Sequence, residues 1–177
     1  LLAAIDATVK VIFICSPNNP TGNSLKRSDI YKILDSFEGI VVVDEAYIDF
    51  SADSSLSKNL NDYGNIIVLQ TLSKAWGAAG IRLGMAFASP EIIAVLNKIK
   101  YPYNVNQLTQ EKALEILNNQ SKMEEQLKAI LEERTRLQQE LNNLPLIMKI
   151  YPTDANFILV RVDDANAVYA KLASDGI

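Results

Sequence analysis

The sequence predicts an α/β protein built on a mostly parallel, twisted sheet. Apolar strands and amphipathic helices alternate through the first half of the 177 residues, and this alternation is typical of such sheets. Three apolar runs in that half each end in polar side chains, at the position where open α/β sheets bind ligands. From Pro90 onward the pattern becomes mainly helical, with two short apolar runs near the end.

The elements of the first half follow from the local pattern. We expect the end of a helix over residues 1–8 and a helix over 28–37 that begins at Ser28 as N-cap. Residues 51–65 are polar and predict a loop with a short helix. Apolar and β-branched runs predict strands over 9–15, 40–43, 66–70 and 83–88.

The second half predicts helices packed against a small sheet. Pro90 suits the first turn of a helix, because its fixed φ angle fits that position. Amphipathic spacing predicts helices over 91–100, 107–118, 122–142 and 164–174. Apolar runs predict strands over 146–150 and 156–162.

Composition excludes several classes of function. The net charge of -4 argues against a nucleic-acid-binding surface, and no apolar run approaches the roughly 20 residues that span a membrane. Without histidine the chain has no Ser–His–Asp system, and we expect no metal site. The single cysteine, Cys15, predicts a small core residue and a cytoplasmic setting. The apolar start and the abrupt end predict a fragment.

Each strand-end cluster has two interpretations. Asn19, in a turn with two prolines, predicts either a ligand site or a plain tight turn. Asp44 follows an apolar strand, so its charge needs a partner, either a protonated ring nitrogen or a backbone turn that it caps.

Lys74 follows the third predicted strand, among small and hydroxyl residues. Such surroundings predict a desolvated amine suited to Schiff-base chemistry, or else a loop lysine beside a serine that caps the next helix. Because parallel strands end at one edge of a sheet, the three clusters should converge there. This convergence favours a site.

Several motifs together resemble a known family. Asn19-Pro-Thr-Gly22, Asp44-Glu-Ala-Tyr47 and Thr71-Leu-Ser-Lys74 with Arg82 resemble the fold-type I pyridoxal-phosphate (PLP) aminotransferases of class I/II. The likeness covers essentially the whole chain. It implies an aspartate aminotransferase-like fold, with a partial large PLP-binding domain over 1–100. Inter-domain helices and a partial small α+β domain follow over 101–177.

The resemblance also implies roles for individual residues. Lys74 forms the internal aldimine with PLP and moves a proton, and Asp44 binds the pyridine nitrogen. Tyr47 and Asn19 contact the ring hydroxyl. Ala46 packs on the ring, and the phosphate is held by Thr71, Ser73 and Arg82.

The most similar subfamily is that of the histidinol-phosphate aminotransferases, on four motifs: 16–22, 43–50, 73–76 and 102–106. It implies transamination between histidinol phosphate and 2-oxoglutarate, in histidine biosynthesis, by a homodimer. Threonine-phosphate decarboxylases and transcription regulators with a PLP-binding domain are the alternatives. Since the family's substrate arginine and part of its phosphate loop fall outside these residues, we expect the 177-residue chain alone to be inactive.

Overall fold

The computed structural model describes all of residues 1–177, and its main sheet has the strand order β1–β2–β3–β4. Strands β1, β2 and β3 are parallel, whereas β4 runs antiparallel to β3. The prediction of a mostly parallel sheet is confirmed, and the three parallel strands end at the same edge. Their bounds are β1 (Val11–Cys15), β2 (Ile40–Asp44), β3 (Ile66–Thr71) and β4 (Gly84–Ala88).

Helix α1 (Arg27–Ser36) packs on one face of this sheet and closes the main core. The strand side chains beneath it are fully buried: Val41, Val43, Ile66 and Val68. Such burial on a parallel strand explains the unbroken apolar run of β2. The predicted cap was wrong, because the helix begins at Arg27 and Ser28 lies inside its first turn.

The opposite face of the sheet is only partly covered. On β1, Val11 and Phe13 are 44% and 75% exposed, whereas Val42 of β2 is 5% exposed. Helix α2 (Pro90–Ile99) contacts β4 and is capped by Ser89, whose hydroxyl accepts the N–H of Ile92.

The second half contains three more helices and a two-stranded antiparallel sheet. The helices are α3 (Gln107–Leu117), α4 (Gln120–Leu141) and α5 (Ala165–Ser174), and the strands are β5 (Ile147–Ile150) and β6 (Val160–Val162). The second strand is shorter than predicted, because its pairing with β5 begins only at Val160. None of the helices combines the length and the apolar character that a membrane crossing requires.

The predicted helix end over residues 1–8 was wrong. A single 3₁₀ turn (Leu2–Ala4) stands there, and the Asp6 carboxylate accepts both the N–H and the hydroxyl of Thr8. Such a local side-chain bond competes with helix formation. Further 3₁₀ turns occupy Ile48–Phe50, Leu56–Asn59 and Ala79–Ile81.

Candidate functional site

The carboxyl ends of β1, β2 and β3 bring the predicted site residues to one edge of the sheet. Asp44 pairs with Cys15 of β1 and with Leu69 of β3. Because side chains alternate along a strand, Asp44 lies on the same face as Leu69 and Thr71. The predicted convergence of the three strand ends is confirmed.

Tyr47 is the centre of the site. Its side chain is 6% exposed, and its hydroxyl accepts a hydrogen bond from Asn19 Nδ2 at 3.1 Å. The Nζ atom of Lys74 lies 5.0 Å from the centre of the Tyr47 ring, within the range of a cation–π contact. The phenol therefore joins side chains that follow three different strands.

Asp44 has one free carboxylate oxygen. Its Oδ1 accepts the N–H of Ala46 at 3.0 Å, so the interpretation of Asp44 as a turn cap describes a real contact. No hydrogen bond of the chain uses Oδ2, and Asp44 takes part in none of the salt bridges. The carboxylate thus stabilises its own turn and keeps the capacity to bind a ligand.

Lys74 is exposed, so the expectation of a desolvated amine was wrong for this chain. Residues 73–78 form turns, in which Gly77 N–H donates to Lys74 C=O at 3.0 Å and Ala78 N–H donates to Leu72 C=O at 2.9 Å. These turns place the amine at the surface. Lys74 is therefore a loop lysine, as the second interpretation predicted, but Ser73 caps no helix, so that part of the interpretation was wrong.

The residues predicted to hold a phosphate are only partly gathered. Thr71 Oγ1 lies 2.9 Å from Ser73 Oγ and also accepts the N–H of Ser73 at 3.1 Å. The Arg82 guanidinium is exposed and donates to Ala79 C=O at 3.1 Å, not to either hydroxyl. Arg82 has a left-handed backbone with φ 54°, a costly conformation for a residue other than glycine. Such strain occurs most often at functional sites.

A segment of the second half, residues 153–157, contacts the turn that carries Asn19. Asp154 N–H donates to Gly22 C=O at 2.7 Å, and Asp154 Oδ2 accepts the N–H of Ser24 at 2.9 Å. A Cβ on Gly22 would lie 2.5 Å from Thr153 Oγ1, and the φ of Gly22 is +81°. Only glycine suits both the backbone and this close approach.

Phe157 and Arg134 complete the surroundings of Tyr47. The Phe157 ring meets the Tyr47 ring edge-on, with centroids 5.2 Å apart. Arg134 of α4 donates to Phe50 C=O at 3.3 Å and to Ala155 C=O at 2.8 Å. Sequence reasoning missed both contacts, because no local pattern links residues so distant along the chain.

Two ionisable groups near this edge have displaced pKa values. Burial raises the pKa of the Cys15 thiol, which keeps it protonated and makes it a poor nucleophile. Burial, and secondarily the charge of Glu45, raises the pKa of the Asp49 carboxyl. No group of three His, Cys, Asp or Glu side chains is arranged to hold a metal ion.

Comparison with known proteins decides the family. The full length of the chain, residues 1–177, matches the family described as aminotransferase class I and II. The chain belongs to this family. Its resemblance in the strand-end motifs therefore extends over the whole sequence, and its α/β sheet agrees with the fold of its structural relatives.

Individual aminotransferase relatives are similar along the whole chain. A protein of Parabacteroides distasonis named histidinol-phosphate aminotransferase is 65% identical over 177 residues, which cover 100% of this chain and 51% of that relative. The chain thus spans about half the length of the curated relatives it matches.

Solved structures of aminotransferases have a similar fold. The histidinol-phosphate aminotransferase of Clostridium acetobutylicum superposes with a TM-score of 0.89 at 28% identity, covering 96% of this chain and 53% of that one. The enzyme of Sinorhizobium meliloti, solved in complex with pyridoxal-5'-phosphate, shares the fold with a TM-score of 0.81 at 24% identity. It covers 95% of this chain and 46% of that one.

Proposed function

We propose that the full-length protein is a PLP-dependent aminotransferase that exchanges an amino group between histidinol phosphate and 2-oxoglutarate, in histidine biosynthesis. The observation that carries this proposal is the cluster around Tyr47, where a phenol, an amide and an amine follow three neighbouring strands. Membership of the aminotransferase family supports the reaction class. The name of the 65% identical relative supports the substrate.

The chemistry of the available side chains fits PLP. The free Oδ2 of Asp44 suits a protonated ring nitrogen, and the Lys74 amine suits the aldehyde. The hydroxyl of Tyr47, with the amide of Asn19 beside it, suits the ring hydroxyl. The methyl group of Ala46 offers an apolar surface for the ring.

The phosphate of PLP finds partners at the end of β3. The hydroxyls of Thr71 and Ser73 lie together, and Arg82 supplies the positive charge that a phosphate dianion needs. The guanidinium keeps Nη2 and Nε free of hydrogen bonds within the chain, so it can bind without breaking the fold.

Each side chain then has a defined task. When bound, PLP supplies an electron sink that makes amino-group transfer feasible. The Asp44 carboxylate would stabilise positive charge on the ring nitrogen. Lys74 would hold the cofactor through its amine and, when free, would accept and return a proton at Nζ, which lies beside the Tyr47 ring. Asn19 orients the Tyr47 hydroxyl.

We further propose the domain division at residue 100, a homodimer and a cytoplasmic location. The separate sheets, β1–β4 in the first part and β5–β6 in the second, support the division. Light scattering on the purified full-length protein measures the mass, and a monomer would contradict the homodimer.

The decisive experiment is a visible spectrum of the full-length protein with PLP. The wild type should show the absorption band of lysine-bound PLP, and Lys74→Ala should lose it together with all transaminase activity. Lys98→Ala, which removes an exposed amine from α2, is the matched control and should keep both. A band that persists in Lys74→Ala would refute the assignment of Lys74.

A substrate assay completes the test. The wild type should transfer the amino group of histidinol phosphate to 2-oxoglutarate. Release of carbon dioxide from threonine phosphate instead would identify a decarboxylase with the same site.

A further inference from the structure

One charged side chain at the strand ends is deeply buried and has no place in the site described above. Glu45 is 2% exposed and forms no salt bridge. Its Oε1 accepts the N–H of Leu56 at 2.8 Å. Its Oε2 accepts the hydroxyl of Ser55 at 2.5 Å and the side-chain amide of Gln70 at 3.0 Å.

These residues form a hydrogen-bonded group, which we call the Glu45 network: Glu45, Ser55, Leu56 and Gln70. The amide of Gln70 also donates to Ser55 Oγ at 2.8 Å, and no buried side-chain polar atom of the chain is left without a partner. A buried carboxylate is tolerated only when its acceptors are satisfied in this way.

The Glu45 network lies behind the site. Glu45 N–H donates to Leu69 C=O at 2.8 Å, so the pairing of β2 with β3 continues to this residue. Because side chains alternate, Glu45 and Gln70 point to the opposite face of the sheet from Asp44 and Thr71. The network also anchors Leu56, a member of the main core.

The network members are joined directly to the residues that face the ligand. Glu45 follows Asp44 and precedes Tyr47 by two positions, and Gln70 precedes Thr71. Without the Glu45 carboxylate, the ends of β2 and β3 would lose this anchor and could shift. The Asp44 carboxylate and the Thr71 hydroxyl, which lie on the other face of the same strand ends, would then shift with them.

We infer that Glu45 is a positioning residue, which holds the ends of β2 and β3 so that Asp44, Tyr47 and Thr71 face the cofactor. This inference rests on the proposed function. An apolar side chain of similar size would fill the same volume, but it could not accept three hydrogen bonds from two different segments.

The test measures PLP binding and the pH dependence of the visible band in the full-length protein. Glu45→Ala should weaken PLP binding about 10- to 100-fold, as the loss of supporting hydrogen bonds does around bound metals. It should also move the pH midpoint of the band by about one unit, because Asp44 and Tyr47 no longer hold their positions. Glu38→Ala, at an exposed carboxylate, is the matched control and should change neither.

A reciprocal exchange separates hydrogen bonding from packing. In the double variant Glu45→Gln with Gln70→Glu, the amide and the carboxylate exchange places. Its PLP affinity should return to within about threefold of the wild-type value, and the pH midpoint of its visible band to within a few tenths of a pH unit. A variant that only repaired the packing would not restore the midpoint.

Wild-type affinity and midpoint in Glu45→Ala, with only a lower melting temperature, would overturn the inference. If Glu45→Ala does not fold, Gln70→Ala takes its place: it removes one donor and should weaken PLP binding, and an unchanged affinity and midpoint would refute the inference equally. Failure of the proposed function is distinguishable, because it would show as a band that survives Lys74→Ala.

Discussion

Two segments at the edge of the sheet differ in how firmly the chain holds their polar side chains. In the Asp44 segment, residues 44–47, Glu45 and Tyr47 are 2% and 6% exposed. In the Lys74 segment, residues 71–82, three apolar side chains are buried, but the charged side chains of Lys74 and Arg82 are exposed. The first segment is fixed from behind by the Glu45 network and around Tyr47 by Phe157, whereas the second is a series of turns.

The difference shows which polar side chains are held by packing and which are exposed to solvent. Groups that must present a fixed acceptor or hydroxyl are locked by buried neighbours, which is how precise sites are supported. The Lys74 amine and the Arg82 guanidinium, which we propose bind the ligand, lie exposed on the solvent side. Substitutions of buried residues behind the Asp44 segment should therefore lower stability as well as disturb PLP binding. Changes to the exposed Lys74 and Arg82 side chains should act mainly on PLP binding.

The largest expected effect concerns the packing around Tyr47. Phe50 is 1% exposed and belongs to the cluster that contains Tyr47. Phe50→Ala should lower the free energy of unfolding by about 3–5 kcal/mol, because it leaves a cavity in that cluster. Denaturant unfolding measures the loss. Phe13→Ala, at a 75% exposed ring, should stay within about 0.5 kcal/mol, and equal losses would contradict the proposed difference.

A smaller loss of stability is expected where α4 is hydrogen-bonded to the surroundings of the Asp44 segment. Arg134→Ala removes the donors to Phe50 C=O and Ala155 C=O and should cost about 1.5 kcal/mol of stability. Arg136→Ala on the same helix removes only exposed ion pairs with Glu133 and Glu140, so it should change stability little. Thermal unfolding of both variants measures the two losses of stability. The prediction fails if Arg136→Ala costs as much as Arg134→Ala.

The Lys74 segment should respond in the opposite way. Arg82→Gly relieves the left-handed backbone at φ 54° and should raise stability by about 0.5–1 kcal/mol, after allowance for the greater freedom of glycine in the unfolded chain. It should also weaken PLP binding about tenfold through the lost charge. Denaturant unfolding tests the predicted gain in stability, and PLP titration tests the predicted loss of affinity. A destabilised variant with full affinity would refute the strain argument.

The smallest effect is a pH dependence beside the Glu45 network. Burial first, and the Glu45 charge second, raises the pKa of Asp49 above its ordinary value of 3.8. A carboxyl with a raised pKa contributes stability that is present below the unfolded pKa and lost as pH rises through the folded pKa. Asp49→Asn should thus be more stable than the wild type at neutral pH, by less than about 1 kcal/mol because the group is partly solvated.

Unfolding of Asp49→Asn and wild type across pH checks this sign. The difference should vanish in acid, where Asp49 is protonated in both states. Asp53→Asn, at an exposed carboxylate of the same loop, is the control. A difference that grows in acid would show that the sign is wrong.

Local patterns predicted most elements and the order of the site residues. The four strands, the helices and the positions of Asn19, Asp44 and Lys74 at strand ends follow from hydrophobic period and turn residues, which act over a few positions. The failures were local as well. Side-chain bonds of Asp6 compete with the helix end predicted over residues 1–8, and the N-cap of α1 is Lys26, two residues before the predicted Ser28.

By itself, the sequence determined the fold class, the sheet edge where we propose the ligand site and the residue types that suit PLP, because the order of elements along the chain and the motif spacing are properties of the sequence. Only the tertiary structure decided the antiparallel direction of β4, the exposure of Lys74 and the contacts that fix the site. Those contacts join residues far apart, such as Ser24 with Asp154 at a separation of 130 and Arg134 with Phe50 at 84. Contacts of this kind depend on how whole helices and strands pack against one another, so a local sequence pattern does not predict them.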